Sequence, residues 1–343
     1  MTDEPQANPE NSPLEENNQT DQSWQTAQID SQRIELLIRR IKTQIHQYVV
    51  GQEKMVEQLL VALITGGHVL IEGVPGIAKT LTTKLLAKSI NTNFSRIQFT
   101  PDLMPTDIIG TSVYNLKTSE FNFVSGPIFS NLVLIDEINR APAKTQAALF
   151  EVMEEKQVTV DGKTYRMEEP FFVMATQNPI EQEGTYRLPE AQLDRFLFRI
   201  KIHYPELHEE KQILERFKNQ FQPNLDTFEA VVESGEIALC RKMAEQVFVK
   251  QDLIDYIAEI VYQTRHNGAL YLGASPRASL AILRSAKTLA AMRGRDFVTP
   301  DDIQEMAYPV LNHRIILSPE KEMEGLQSED IVKQIIQKIE VPR

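Results

Sequence analysis

One segment of this chain places a glycine turn between a buried strand and a helix. The residues Val69-Leu70-Ile71 are apolar, Gly73–Thr80 reads GVPGIAKT, and a helical pattern starts at Leu81. A strand that turns through glycines into a helix beginning Lys-Thr is the arrangement of a phosphate-binding loop. The backbone N–H groups of such a loop face one concavity, and the helix N-terminus adds partial positive charge. The segment therefore predicts an α/β domain that binds phosphate groups.

Two side chains of this segment predict nucleotide chemistry. Lys79 is expected to contact the β- and γ-phosphates of a nucleotide, and the Thr80 hydroxyl to bind Mg²⁺. The usual pattern has glycine where this chain has Ala78, a small residue that still permits helical backbone angles. The alternative interpretation is a glycine turn between strand and helix, followed by an ordinary surface lysine.

Composition restricts the class of protein. The formal charge of the 343 residues is −12, and residues 1–30 carry seven acidic side chains with no Lys or Arg. The remainder is mildly acidic, which weighs against a strongly basic nucleic-acid-binding surface. The single cysteine, Cys240, cannot form an internal disulfide and fits a reducing compartment. With no signal-peptide pattern and no apolar run of membrane-spanning length, we expect a cytoplasmic protein without a membrane span.

The pattern along the chain predicts two folded domains. Residues 1–30 are polar and acidic, and are expected to form a disordered tail. Continuous apolar runs alternate with helical segments over 31–205, which predicts a three-layer α/β core with a parallel sheet. We expect a linker helix over 206–230 and an all-α lid domain over 231–343. The five strands predicted for the core sheet are His68–Glu72, Ser95–Phe99, Asn131–Asp136, Phe171–Thr176 and Phe196–Ile202.

Two insertions into the core resemble β-hairpins. Residues 158–165 surround Asp161-Gly162, a strong two-residue turn signal, and 101–126 contain alternating phenylalanines. Both insertions would project from the core, so each is a candidate for contacting a partner. Decoration of the sheet edge is an equally good explanation.

Polar residues follow two further predicted strands. Four apolar residues end in Asp136 and Glu137, and a later strand ends near Asn178. Because the carboxyl ends of parallel strands meet at one edge, these side chains are expected beside the phosphate loop. Asp136 would then complete the Mg²⁺ shell, Glu137 would polarise the attacking water, and Asn178 would orient that water. For Asn178 the alternative is turn chemistry, since Asn-Pro commonly starts a loop.

Two later arginines are candidates for contact with phosphate. Arg195 precedes the last core strand, on the flank far from the chain's own phosphate loop, and is a candidate arginine finger for a neighbouring subunit. Arg277 follows Ser275-Pro276 in the first turn of a helix. A cation interacts unfavourably with the helix dipole there, so a nearby anion is expected to stabilise it. A nucleotide phosphate is one candidate for that anion, and a neighbouring carboxylate is the alternative.

Four motifs together resemble the AAA+ ATPases, specifically the MoxR family. They are GVPGIAKT, LVLIDEINRAPAKTQAALFEVMEE, ATQNPIEQEGTYRLPEAQLDRF and GASPRA, and the resemblance covers about residues 31–315. It implies Walker B residues at Asp136 and Glu137, sensor 1 at Asn178, sensor 2 at Arg277 and a trans finger at Arg195. It also implies an adenine-contacting segment at Val50, Gly51 and Gln52. The nucleotide-binding loop it implies consists of Gly73, Val74, Pro75, Gly76, Ile77, Ala78, Lys79, Thr80 and Leu81.

These observations predict an ATPase with ATP and Mg²⁺ bound between the α/β core and the helical lid. A finger from another subunit requires an oligomer, and we expect a hexameric ring. The resemblance implies chaperone-like remodelling or metal-cofactor insertion, often with a von Willebrand factor A domain partner. The alternatives are a nucleotide-dependent scaffold with little turnover, a nucleic-acid-stimulated AAA+ motor and a chelatase motor subunit. A small-molecule P-loop kinase fits poorly, because it explains neither the late arginines nor the all-α domain.

Overall fold

We describe the protein from a computed structural model that covers residues 32–74, 76–178, 185–186, 188–218 and 228–342. The predicted tail over 1–30 and part of the predicted linker lie outside these residues. Helix α1 spans 32–46. The other helices of the described chain are α2 (Glu53–Thr65), α3 (Lys79–Ser89), α4 (Pro105–Ile109), α5 (Ala143–Glu155), α6 (Glu190–Leu193), α7 (Leu207–Phe217), α8 (Ser234–Glu245), α9 (Gln251–Arg265), α10 (Pro276–Met292), α11 (Pro300–Leu311), α12 (Pro319–Met323) and α13 (Ser328–Lys338).

A five-stranded parallel sheet forms the centre of the α/β part, in the order β2-β5-β8-β1-β9. All five predicted strands are confirmed to within one residue at each end. The strands of this sheet are β1 (His68–Glu72), β2 (Phe94–Gln98), β5 (Leu132–Asp136), β8 (Phe172–Gln177) and β9 (Phe196–Lys201).

The central strands β1, β5 and β8 are buried on both faces, as their continuous apolar runs predict, whereas the edge strand β2 is largely accessible. In β5, Leu132 and Leu134 belong to one core cluster, whereas Val133 and Ile135 belong to the other. Successive side chains of a strand point to opposite faces, so one apolar run supplies both clusters. Because the strands are parallel, the turns after β1, β5 and β8 all lie at the carboxyl edge of the sheet.

Both insertions form antiparallel hairpins. β3 (Gly110–Asn115) pairs with β4 (Glu120–Ser125), and β6 (Gln157–Val160) pairs with β7 (Lys163–Arg166). The rings of Phe123 and Tyr165 stack with centroids 4.5 Å apart, which joins the two hairpins. Whether these hairpins meet a partner stays a prediction.

The last part of the chain is helical, with one short antiparallel pair of strands, β10 (Leu270–Leu272) and β11 (Ile316–Leu317). Its apolar core is continuous with that of α1, α2 and β1, so the two parts pack on each other directly. Cys240 is buried in α8, and desolvation raises the pKa of its thiol to about 11, as expected for a packing residue. Among the described helices, none combines the length and the apolar composition needed to cross a bilayer.

Candidate functional site

The carboxyl edge of the sheet carries a cleft of about 410 Å³. The phosphate loop after β1 forms one wall, and the ends of β2, β5 and β8 form the other. All of the described lining belongs to the α/β part of the chain. The residues that line it are Gly76, Ala78, Lys79, Thr80, Leu81, Arg96, Gln98, Asp136, Glu137, Thr176 and Asn178.

Lys79 begins α3 and folds back over the loop. Its Nζ donates a hydrogen bond to the carbonyl oxygen of Gly73 at 2.6 Å. Burial lowers the pKa of Lys79, whereas the nearby carboxylates of Asp136 and Glu137 oppose that shift. A Cβ at Gly73 would lie 2.6 Å from Ile77 Cδ1 and 3.1 Å from the carbonyl of Ile202, so a side chain there would force these neighbours to shift. The loop is thus held tightly against the sheet, with its lysine facing the two acids.

Ala78 does not adopt the right-handed helical angles that we expected. Its φ of 59° and ψ of 19° lie in the left-handed region that glycine favours. The left-handed conformation costs an L-residue with a Cβ about 1–2 kcal/mol. The usual glycine of this loop therefore has a conformational reason, and this chain tolerates alanine there at a cost in stability.

Asp136 ends β5 and faces the phosphate loop. Its Oδ1 accepts a hydrogen bond from Thr176 Oγ1 at 3.2 Å, and its Oδ2 forms an ion pair with Arg96 Nε at 2.6 Å. Carboxylate and hydroxyl oxygens are ligands that suit Mg²⁺, which usually takes one or two carboxylates together with phosphate oxygens. Asp136 and Thr80 therefore fit a magnesium ion delivered with a nucleotide.

Glu137 is held in a strained backbone conformation at the same edge. Its φ of 57° and ψ of 52° are left-handed, and its N–H donates to Thr176 Oγ1 at 3.1 Å. One carboxylate oxygen, Oε2, accepts from Gln98 Nε2 at 3.0 Å and lies 2.8 Å from Arg140 Nε. Strain that surrounding contacts maintain is often found at functional positions. The geometry places Glu137 where it can act on a molecule in the cleft.

The sequence prediction missed Arg96, Gln98 and Thr176. The first two lie on β2, which pairs with β5 in a register that sets Gln98 beside Asp136. That neighbourhood depends on strand order, which the linear sequence does not reveal. Thr176 could have been predicted, because it is the last buried residue of an apolar strand and lies two residues before Asn178, which also lines the cleft.

A second pocket lies at the opposite, amino edge of the sheet, with a volume of about 390 Å³. It contains both predicted arginines, bound to one acid at the end of α5. Arg277 Nη2 lies 2.6 Å from Glu154 Oε1, and Arg195 Nη2 lies 3.1 Å from Glu154 Oε2. The pocket is also lined by His68 and Leu197, which lie at the starts of β1 and β9.

The position of Arg277 corrects the expectation that it reaches the phosphates of its own chain. The five residues of β1 separate the two edges by about 13 Å, which is longer than an arginine side chain spans. The described lining of the cleft belongs to the α/β part, and binding of the nucleotide between core and lid stays a prediction. The carboxylate that we gave as the alternative anion for Arg277 is Glu154.

The predicted adenine segment forms a tight turn before α2. Gly51 and Gln52 are both left-handed, with φ of 67° and 59°, and any side chain at Gly51 would collide with the carboxylate of Glu209 on α7. Contact of Val50, Gly51 and Gln52 with adenine stays a prediction. Pro75 of the predicted loop lies outside the described residues.

Comparisons with known proteins agree with this geometry. Residues 68–198 match the family described as "ATPase family associated with various cellular activities (AAA)", and 262–335 match the AAA lid domain. The uncharacterized protein YeaC of Bacillus subtilis is 47% identical over 306 residues, which cover 89% of this chain and 95% of YeaC. Chaperone MoxR1 of Mycobacterium tuberculosis is 44% identical over 315 residues, covering 89% and 82% respectively.

A solved structure extends the likeness to the whole fold. The crystal structure of a candidate ATPase from Cytophaga hutchinsonii superimposes with a TM-score of 0.86 at 42% identity, and the match covers 94% of this chain and 99% of that one. Both the α/β part and the helical part therefore have counterparts in one related protein.

Proposed function

The chain belongs to the MoxR family of AAA ATPases, and on that premise we propose that it hydrolyses ATP at sites shared between neighbouring subunits of a ring. One observation carries the proposal. The phosphate cleft and the paired arginines lie at opposite edges of one sheet, so they cannot meet within a chain. They can meet when the amino edge of one subunit faces the carboxyl edge of the next.

Within the cleft, each residue takes a role that fits its contacts. Lys79 and the loop amides bind the phosphates, and Asn178 positions the attacking water. Glu137 accepts a proton from that water, since its carboxylate is already oriented by Gln98. Thr80 and Asp136 would hold Mg²⁺, which shields the phosphate charge when it is bound.

At the other edge, Arg195 and Arg277 neutralise the charge that develops on the neighbour's γ-phosphate. Such contacts typically contribute about 10³-fold or more to the rate. A head-to-tail interface of this kind generates a ring when its rotation closes. We take that ring to be a hexamer, as the family resemblance implies.

The boundaries of the parts belong to the same proposal. We place the ATPase core at 31–205, the linker helix at 206–230 and the lid at 231–343, after a tail over 1–30. The end of β9 at Lys201 and the start of α8 at Ser234 support this division.

The work that hydrolysis drives is the remodelling or maturation of a partner protein. The similarity to Chaperone MoxR1, which is 44% identical, supports a protein client. Metal-cofactor insertion and a partner with a von Willebrand factor A domain follow from the family resemblance. Stimulation of ATP turnover by a client separates this function from a scaffold with little turnover. Stimulation by DNA with steep salt dependence would instead favour a nucleic-acid motor.

Mixed assemblies test the shared site. Lys79→Ala removes the phosphate-binding lysine, Arg195→Ala removes the finger, and each variant alone should be inactive. In a one-to-one mixture that co-assembles at random, up to about a quarter of the interfaces combine an intact cleft with an intact finger. ATP hydrolysis should therefore recover in the mixture, measured as phosphate release.

A second pair of variants provides the matched control. Glu137→Gln and Lys79→Ala both damage the cleft, so mixing them should restore no activity. Equal recovery in the two mixtures, or none in a Lys79→Ala and Arg195→Ala mixture shown to co-assemble, would contradict the shared site.

A further inference from the structure

The pocket at the amino edge contains a carboxylate that the scheme above does not use. Glu154 accepts from Arg277 on one carboxylate oxygen at 2.6 Å and from Arg195 on the other at 3.1 Å. The described lining also includes Arg284, Arg314 and Lys156, so five cationic side chains share this pocket with two described carboxylates, those of Glu154 and Asp194. Lys156 additionally pairs with Glu169 outside the pocket. The carboxylate of Glu154 therefore already lies between the guanidinium groups of Arg195 and Arg277, the two candidate phosphate-binding arginines.

Both partners of the shorter contact are placed against their helix dipoles. Glu154 lies in the last turn of α5, where a negative charge is unfavourable, and Arg277 is the second residue of α10, where a positive charge is unfavourable. The ion pair between them offsets the unfavourable interaction of each charge with its helix dipole. If Arg277 is to leave Glu154, another anion has to take the place of that carboxylate.

The ion pairs of Glu154 with Arg195 and Arg277 are exposed enough for another anion to replace the carboxylate. The side chains of Arg195, Arg277 and Glu154 are 31%, 55% and 36% exposed, and ion pairs at such sites are weak. Arg314 provides the contrast, because its side chain is 4% exposed and donates to Asp194 and to the carbonyls of 196, 197 and 310. Arg314 is thus fixed by several buried contacts. Arg195 and Arg277 instead share the accessible carboxylate of Glu154, and Arg277 has one longer contact, 3.8 Å from its Nη1 to Asp194 Oδ2.

We propose that Glu154 is a positioning residue that stands in for a phosphate. In the separate subunit its carboxylate holds Arg195 and Arg277 together, and on assembly the γ-phosphate in the neighbour's cleft displaces it. This inference rests on the shared site proposed above. Because a phosphate presents several charged oxygens, it can accept from both guanidinium groups at once, as the carboxylate does.

The exchange also releases a contact between the two parts of the chain. Glu154 belongs to the α/β part, and Arg277 belongs to the helical part. Other ion pairs across the same boundary persist, among them Arg314 with Asp194 and Lys201 with Glu329. The exchange therefore frees the start of α10 without separating the two parts.

The test places Glu154→Gln in the mixed assembly of Lys79→Ala and Arg195→Ala chains. In that mixture only the Lys79→Ala chain supplies an active finger, and only the Arg195→Ala chain supplies an active cleft. The glutamine keeps the shape of the side chain but removes the competing charge. On the Lys79→Ala chain it should lower the KM for ATP at least threefold and leave kcat within twofold. On the Arg195→Ala chain it should leave the KM unchanged.

Glu155→Gln on the Lys79→Ala chain is the matched control, because Glu155 is exposed in the same helical turn and has no ion pair with another described residue. It should leave the KM unchanged. Should Glu154→Gln not fold, Glu154→Asp, which is too short to reach both arginines, should lower the KM in the same direction. If Glu154→Gln on the Lys79→Ala chain leaves the KM for ATP unchanged or raises it, or if the KM falls equally with the change on either chain, the proposed role of Glu154 is wrong but the shared site stands. A co-assembled mixture without any activity overturns the shared site and this inference together.

Discussion

The two edges of the central sheet are built differently. At the carboxyl edge, Asp136 and Glu137 end a buried strand and are held by hydrogen bonds from residues on the adjoining strands. At the amino edge, Arg195 and Arg277 extend from a loop and a helix start, and their short ion pairs both go to the exposed carboxylate of Glu154. The acids of the cleft are therefore held by hydrogen bonds from the sheet, whereas the arginines are held by exposed ion pairs. In the shared site that we propose, each edge supplies one half of the catalytic residues.

The largest effect is expected when the buried Arg314 and the exposed Arg195 are replaced in turn and the stability and activity of the two variants are compared. Arg314→Ala removes the short ion pair of Asp194 in a largely buried contact and leaves it only the longer contact with Arg277. It should lower the free energy of unfolding by about 3 kcal/mol. Arg195→Ala removes one exposed ion pair and should lower it by less than about 1 kcal/mol, while abolishing ATP hydrolysis. Urea denaturation and phosphate release measure the two effects. Similar losses of stability would show that both arginines are structural.

Acidification should weaken the amino edge. His68 starts β1, accepts the N–H of Val173 on Nδ1 at 3.0 Å, and contacts the carbonyl of Met153 through Nε2 at 3.1 Å. Nδ1 must stay unprotonated to accept, and burial, reinforced by the charge of Lys156, lowers the pKa of His68 to about 4. The unfolded chain binds a proton near pH 6.5, so the neutral ring contributes stability that is lost as pH falls from about 6.5 to 4.

The loss of stability on acidification depends on how many more protons the unfolded chain binds than the folded one. Between pH 7 and pH 5, His68 should account for about 2 kcal/mol of lost stability. His313, whose pKa burial lowers well below the usual value, adds a loss of the same sign. Urea denaturation at both pH values should show a smaller difference for His68→Gln than for the parent chain. His203→Gln, a change at an exposed ring, is the control, and an equally reduced difference in that variant would count against the assignment.

The smallest expected effect concerns the phosphate loop. Ala78→Gly removes the penalty of the left-handed conformation but adds freedom to the unfolded chain, so a net gain of about 0.5 kcal/mol is expected. Thermal unfolding without nucleotide measures it. Glycine is the residue that this loop usually has, so ATP binding should persist. A loss of stability would mean that the left-handed angles at Ala78 are not strained.

The local pattern of the sequence determined much of this protein. Apolar runs predicted the central strands of the sheet, because burial on both faces of a parallel sheet leaves few polar positions there. The glycine loop, the Asp136-Glu137 pair and Asn178 were predictable as one cleft, since parallel strands bring their carboxyl ends to the same edge. Each of these inferences depends on residues close together in the chain or on a general property of parallel sheets.

The tertiary structure alone decided which distant side chains meet. Strand order set Gln98 and Arg96 beside the acids of β5, and the packing of the helical part brought Arg277 to Glu154, 123 positions earlier. The spacing of residues along the chain does not predict such contacts, because they depend on how whole helices and strands pack on one another. For that reason Arg277 was recognisable as a cation in need of an anion, but not as a residue at the far edge of the sheet.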